Sequence, residues 1–176
     1  MENFVRKEKV NDSIGKIILS NGKKINPLSL SILKKINREI TLMSENNNIK
    51  VIIISSNGPG FSAGHDLKEL KNNQNNKEFF LDLFRECSNL MQKIISIPQP
   101  VIAEVPGIAA AAGCQLVATC DLAIASEKAE FMTPGVNIGL FCSTPMVAVS
   151  RNVSRKKMME MLLMGEKMSV IEAEKF

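Results

Sequence analysis

Apolar positions along the chain fall into two kinds of segment, short unbroken runs and longer stripes at helical spacing. "VIII" at 51–54 is β-branched, continuous and followed by Gly and Pro, the pattern of a strand buried on both faces. "PQPVIAEV" and "DLAIAS" have the same character, the first behind a proline-rich entry. Residues 4–10 and "GKIILS" at 15–20 predict two further strands joined by the turn "NDS". Between these runs, residues 28–43 place Ile32, Leu33, Ile36, Ile40 and Met43 on one helix face. Residues 77–96 do the same with Phe80, Leu83, Phe84, Cys87, Leu90, Met91 and Ile94. "HDLKEL" opens another helix, and 144–151 and 155–164 read as shorter ones, with Gly165 as a left-handed C-cap. The alternation of buried strands and helices predicts an α/β fold.

The end of the chain carries a boundary signal. Ser169 and Glu172 have the S-x-x-E spacing of a capping box, so a helix is expected to begin near 170. About two turns remain before Phe176, a length at which an isolated helix is marginal. A further helical part is therefore expected beyond the last residue.

Composition narrows the classes. The chain has 176 residues, enough for one domain with a real core, and residues 1–176 are read as one such domain. Net charge is only +4, and the Arg155-Lys156-Lys157 cluster reads as a solvated helix face. With no Trp or Tyr, no stacking platform for nucleic acid is expected. The four cysteines lack CxxC spacing, and a single His cannot complete the usual zinc sets, so no metal site is expected. Buried reduced thiols fit an intracellular protein, with mitochondrial and cytoplasmic locations both open. "MENFVRKEKV" lacks the apolar region of a secretory signal. The longest apolar stretch, 101–120, contains Glu104, Pro106, Gln115 and two glycines and makes a poor membrane span. The Asn clusters "ENNNIK" and "KNNQNNK" read as solvated, mobile loops.

Two segments share one device. "VIIISSNGPGFSAGHDLKEL" and "VIAEVPGIAAAAGCQLVATC" each run from a buried strand through a small-residue turn into a helix. Small residues let backbone approach backbone or ligand closely. The first N–H groups of a helix lack internal partners and carry the positive end of its dipole. Two of them aimed at one point can hold an anion or polarise a carbonyl such as a thioester. Ordinary tight strand-to-helix connections would look the same. A dinucleotide fingerprint fits less well, because Gly58, Gly60 and Gly64 are spaced one residue too long with Pro59 between.

Both segments strongly resemble the enoyl-CoA hydratase/isomerase (crotonase) superfamily. The first matches F-x-A-G-x-D-L at Phe61, Ala63, Gly64, Asp66 and Leu67, and the second its P-V-I-A-x-V-x-G-x-A-x-x-x-G-C region from Pro100 to Cys114. "INPLSL" at 25–30 fits an early family turn, so the likeness covers nearly the whole chain. "FSAGHDLKEL", "AAAAGCQLVATCD" and "PGVNIGLFCSTP" resemble the subgroup of enoyl-CoA hydratase domain-containing proteins 3 most. The resemblance implies a crotonase-like fold of repeated ββα units forming a spiral core, with the C-terminal helical part largely missing. It implies an acyl-CoA ligand, with coenzyme A thioester bound as substrate and no permanent cofactor. It also implies that the backbone N–H groups of His65 and Ala112 form the thioester oxyanion hole. Ala63, Gly64, Asp66 and Leu67 would border the CoA, Lys68 would approach a phosphate, and the full-length protein would form a homotrimer or a dimer of trimers.

The family pattern breaks at its acids. A hydratase needs one carboxylate as base on water and another to protonate the substrate. Their positions fall at Gln115 and Gly135. Gln cannot take a proton and Gly has no side chain. Losing one such group typically costs about 10²–10⁴-fold in rate. Classical hydration is therefore not expected, whereas a backbone oxyanion hole is untouched. Decarboxylation, thioester hydrolysis and non-catalytic acyl-CoA binding all stay open. Ser143 and Cys142 fall near the expected thioester, or else form a helix N-cap beside a buried thiol. Glu104 faces either the site or solvent. The His65 ring is expected to point outward or rest on CoA, leaving its N–H as the functional group.

Overall fold

The computed structural model describes residues 4–176. β1 (Val5–Asn11) and β2 (Ile14–Leu19) form an antiparallel hairpin. α1 (Leu30–Ser44) follows, started by the Ser29 side chain, which accepts the Ile32 N–H. The next turn of chain is β3 (Val51–Ser56), β4 (Gly60–Ser62), α2 (Leu67–Asn72) and α3 (Lys77–Ser96). The one after it is β5 (Val101–Val105), β6 (Ile108–Ala110) and α4 (Ala112–Thr119). β7 (Leu122–Ala125), β8 (Glu130–Met132), a 3-10 turn over Pro134–Ile138, α5 (Ser143–Val149) and α6 (Arg155–Met164) make the fourth. β9 (Met168–Ser169) and α7 (Val170–Ala173) complete the described chain.

β1 and β2 both enter one sheet, and from β3 onward each turn sends its first strand to that sheet and its second to another. The first sheet has the order β1-β2-β3-β5-β7, parallel from β2 onward, and the second the order β4-β6-β8-β9. Successive turns stack as the ββα spiral expected from the resemblance. Apolar side chains make this possible. Ile17 and Leu19 of β2, Ile52 and Ile54 of β3, and Val101 and Ala103 of β5 are fully buried. They pack with Leu33, Ile36 and Ile40 of α1 and Leu83, Leu90 and Ile94 of α3 in one core. Among the described residues, no helix is long and apolar enough to cross a membrane.

Several expectations are corrected here. The small-residue turns of the two devices contain strands: "GFS" is β4 and "IAA" is β6. Three-residue strands are too short to show alternation, so the second sheet leaves little trace in the sequence. The "KNNQNNK" stretch holds ordered helix ends, since Asn73 closes α2 and the Asn76 side chain accepts the Phe79 N–H to open α3. The basic cluster is only partly solvated, because Lys157 folds against Glu172 at 3.0 Å and Glu160 at 3.4 Å. Ser169 and Glu172 form the full capping box, and Gly165 is the left-handed cap of α6.

Candidate functional site

The second sheet aligns the ends of three turns. β4, β6 and β8 lie parallel and adjacent, with Ser62 opposite Ala109 and Ala110 opposite Met132. The segments leaving these strands are therefore neighbours, separated by about 5 Å per strand. They carry His65, Ala112 and Gly135, with Ala112 in the middle. Gln115 lies three residues further on α4, one helical turn beyond Ala112. The structure thus gathers the four principal positions that the sequence singled out.

The first two segments touch. Gly64 has φ of +88°, and a Cβ built on it would stand 2.8 Å from the Ala111 Cβ and 3.1 Å from the Ala112 nitrogen. Gly113 is pressed as closely on Ser62. Ala111 sits at φ 49°, ψ −120°, the conformation of the first central residue of a type II′ turn, which costs a non-glycine about 1–3 kcal/mol. It is held there at both ends: its N–H donates to Met132 O at 3.0 Å and its carbonyl accepts the Gln115 N–H at 2.9 Å. Among the described residues, neither the Ala112 nor the His65 N–H is donated to a backbone acceptor.

Segment 25–28 buttresses this arrangement, a role that sequence reasoning missed. The Ala63 N–H donates to Ile25 O at 2.8 Å and the Leu28 N–H to Gly64 O at 2.7 Å. Buried Asn26 donates through Nδ2 to Asn57 O and Gly60 O, both at 3.1 Å. Ser62 Oγ donates to Asn26 O at 2.8 Å and accepts the Gly64 N–H at 3.1 Å. Ile25 and Asn26 both have positive φ, a conformation that Asn tolerates better than most residues.

The His65 ring corrects its expectation. It turns inward: Nδ1 lies 3.3 Å from Leu28 O, and the ring meets Phe84 edge-on with centroids 5.4 Å apart. A carbonyl can only accept, so Nδ1 carries the proton and Nε2 is a bare acceptor. Nε2 is buried without a partner among the described residues. Burial lowers the His65 pKa, opposed by the Leu28 carbonyl, and so favours the neutral ring.

Gln115 and Gly135, where the resemblance places the family's acids, offer no carboxylate. Gln115 is 7% exposed, and its Oε1 faces the Cys87 thiol at 4.0 Å. At Gly135 a Cβ would stand 2.7 Å from Leu140 O and 2.8 Å from Cys142 Sγ, so the 140–142 segment fills the space a side chain would need. Cys142 accepts the Gly135 N–H through sulfur at 3.3 Å and is the N-cap residue of α5, without a side-chain capping bond. Burial raises its pKa. Ser143 is exposed in the first turn of α5.

At the expected CoA border, Ala63, Leu67 and Lys68 are exposed. Asp66 caps α2, its Oδ1 accepting the N–H groups of Lys68 at 2.9 Å and Glu69 at 3.2 Å. Glu104 is remote from the site chemistry: it pairs with Lys16 at 2.6 Å across β3.

The family model for enoyl-CoA hydratase/isomerase matches residues 9–176. Human enoyl-CoA hydratase domain-containing protein 3, mitochondrial, is 55% identical over 162 residues, which is 92% of this chain and 53% of that protein. The Rattus norvegicus protein of the same name is 52% identical over 92% of this chain and 54% of its own. The chain therefore spans about half the length of these relatives. The crystal structure of the human protein superposes with a TM-score of 0.92 at 51% identity, covering 97% of this chain and 67% of that one. An enoyl-CoA hydratase structure from Mycobacterium smegmatis superposes with a TM-score of 0.95 at 40% identity, covering 99% and 67%.

Proposed function

The chain belongs to the enoyl-CoA hydratase/isomerase family and has its crotonase fold, and from that premise we propose that it binds an acyl-CoA thioester and polarises its carbonyl between the N–H groups of His65 and Ala112. One observation carries this reading. Gly64 packs on the Ala111–Ala112 peptide, and neither amide has a backbone acceptor among the described residues. Two fixed donors at adjacent turn ends stabilise a developing oxyanion without reorganising. Ala63, Leu67 and Lys68 lie open beside them for the CoA moiety, and Asp66 shapes the entry by capping α2.

The chemistry that follows differs from hydration. With Gln115 in place of one acid and no room at Gly135 for another, nothing at these positions can both activate water and protonate an α-carbon. Reactions that need mainly enolate or tetrahedral-oxyanion stabilisation remain, decarboxylation and thioester hydrolysis among them. The crowding at Gly135 also favours a second reading, an acyl-CoA binder without turnover.

The test uses the intact protein with crotonyl-CoA, methylmalonyl-CoA and ethylmalonyl-CoA. Binding should shift the thioester carbonyl stretch to lower frequency, as hydrogen bonding to the oxygen requires. Ala112→Pro, which removes one donor, should reverse much of that shift while CoA still binds. Turnover of any substrate lost in the same variant identifies an enzyme. Tight binding with no turnover identifies the binder. An unshifted carbonyl sinks the oxyanion hole.

A further inference from the structure

A groove of about 380 Å³ opens beside Gln115, between α3 and α5, with α4 as its floor. Its near end adjoins the candidate oxyanion hole, because lining residue Phe84 holds the His65 ring. Its walls are largely apolar, with Phe84, Met91 and Ile95 on α3 and Val147 on α5. Phe84, Ile95 and Val147 are all exposed, so the groove presents unpartnered hydrocarbon surface. Thr144 in the first turn of α5 and Arg151 two residues past its end both line the groove, seven positions apart, about 10 Å at helical rise.

Arg151 is the only charged residue of the lining. Among the described residues its guanidinium has no ion pair or side-chain hydrogen bond. Its backbone is fixed, since neighbouring Asn152 ties the end of α5 to α4 through Ala118 O at 2.8 Å and Ala148 O at 2.9 Å. An apolar channel with a thioester site at one end and an uncompensated guanidinium at the other matches a ligand that is apolar in the middle and anionic at its tip.

We propose that the groove between α3 and α5 receives the acyl chain and that Arg151 pairs with a carboxylate at its far end, so that the preferred ligand class is the CoA monothioester of a medium-chain dicarboxylic acid. This rests on the acyl-CoA reading above and specifies its substrate class. A simple fatty acyl chain would fill the walls and leave Arg151 without a partner.

The experiment is calorimetric titration of the intact protein with free CoA, octanoyl-CoA and the CoA monothioester of octanedioic acid. The parent chain, Arg151→Gln and Arg151→Lys are compared. The dicarboxylic monothioester should bind about tenfold more tightly than octanoyl-CoA, the scale of one charge-assisted pair. Arg151→Gln should remove that advantage by weakening the dicarboxylic monothioester far more than octanoyl-CoA, and Arg151→Lys should keep part of it. Equal affinity for the two esters in the parent chain overturns the proposal, as does an equal loss of both in Arg151→Gln. Binding of octanoyl-CoA in either case leaves the acyl-CoA reading intact. Failure of all CoA compounds to bind the folded parent chain overturns both.

Discussion

The missing side chain of Gly64 is where Ala111 packs: a Cβ there would stand 2.8 Å from the Ala111 Cβ. The two turns can meet only because position 64 has no side chain and tolerates φ of +88°. Gly64→Ala should therefore separate the His65 and Ala112 amides. The strained φ and the overlap together should cost about 2–4 kcal/mol. Thermal unfolding and acyl-CoA titration check this: a lower midpoint and lost thioester binding are expected. Unchanged binding would mean that the two amides do not act on one atom.

Gly135 meets the opposite constraint. Leu140 O at 2.7 Å from the built Cβ is backbone and cannot swing away as a side-chain tip could. Gly135→Glu should lower stability by about 1–3 kcal/mol by overpacking and should not create hydration of crotonyl-CoA. Pairing it with Gln115→Glu should not help, because the 140–142 segment must move before the carboxylate introduced at position 135 can approach the site. Recovery of hydration in the double variant would show that this segment yields readily.

Much of this architecture is legible in the sequence, and the rest is hidden for definable reasons. Ile36, Ile40 and Leu90 sit in stripes long enough to declare a helix, and Ser169 with Glu172 announces α7 by local hydrogen bonding alone. β4, β6 and β8 have three residues each, so their pairing rests on tertiary register rather than on local pattern. That register is what brings His65, Ala112 and Gly135 side by side. The motif resemblance supplies these positions, and composition alone could not. The crowding at Gly135 depends on a carbonyl five residues away, and the direction of the His65 ring on the Leu28 carbonyl and Phe84 from two other segments. Arg151 is one basic residue among many along the chain, and only the enclosure of a groove by α3, α4 and α5 sets it apart.

The thiols should be poor nucleophiles. Burial pushes Cys87 up to about 11 and Cys114 and Cys120 up to about 12, and it raises Cys142 as well. Thiolate is scarce at neutral pH under those conditions. Iodoacetamide at mildly alkaline pH should leave Cys87, Cys114 and Cys120 largely unmodified until denaturant is added, as read by mass spectrometry. Half-buried Cys142 should react first, and slowly. Cys142→Ser should retain any thioester turnover, and its loss would reinstate a thiol mechanism.

His65 should make stability depend on pH in a known direction. Its folded pKa lies below the ordinary 6.5, mainly through burial of the ring. Between the folded value and 6.5 the unfolded chain binds more protons than the folded one, so stability rises with pH across that window. It should be complete above about 6.5 and decline as pH falls toward the folded pKa. His65→Asn, which can keep the hydrogen bond to the Leu28 carbonyl without a titrating group, should lose less stability on acidification than the parent chain. The comparison is made by urea unfolding at several pH values. Because the chain has one histidine, its ring signals by NMR are unambiguous and should report the Nδ1-protonated tautomer at neutral pH. A ring that titrates at or above 6.5 would show that Nε2 is open to water and that the packing against Phe84 does not persist in solution.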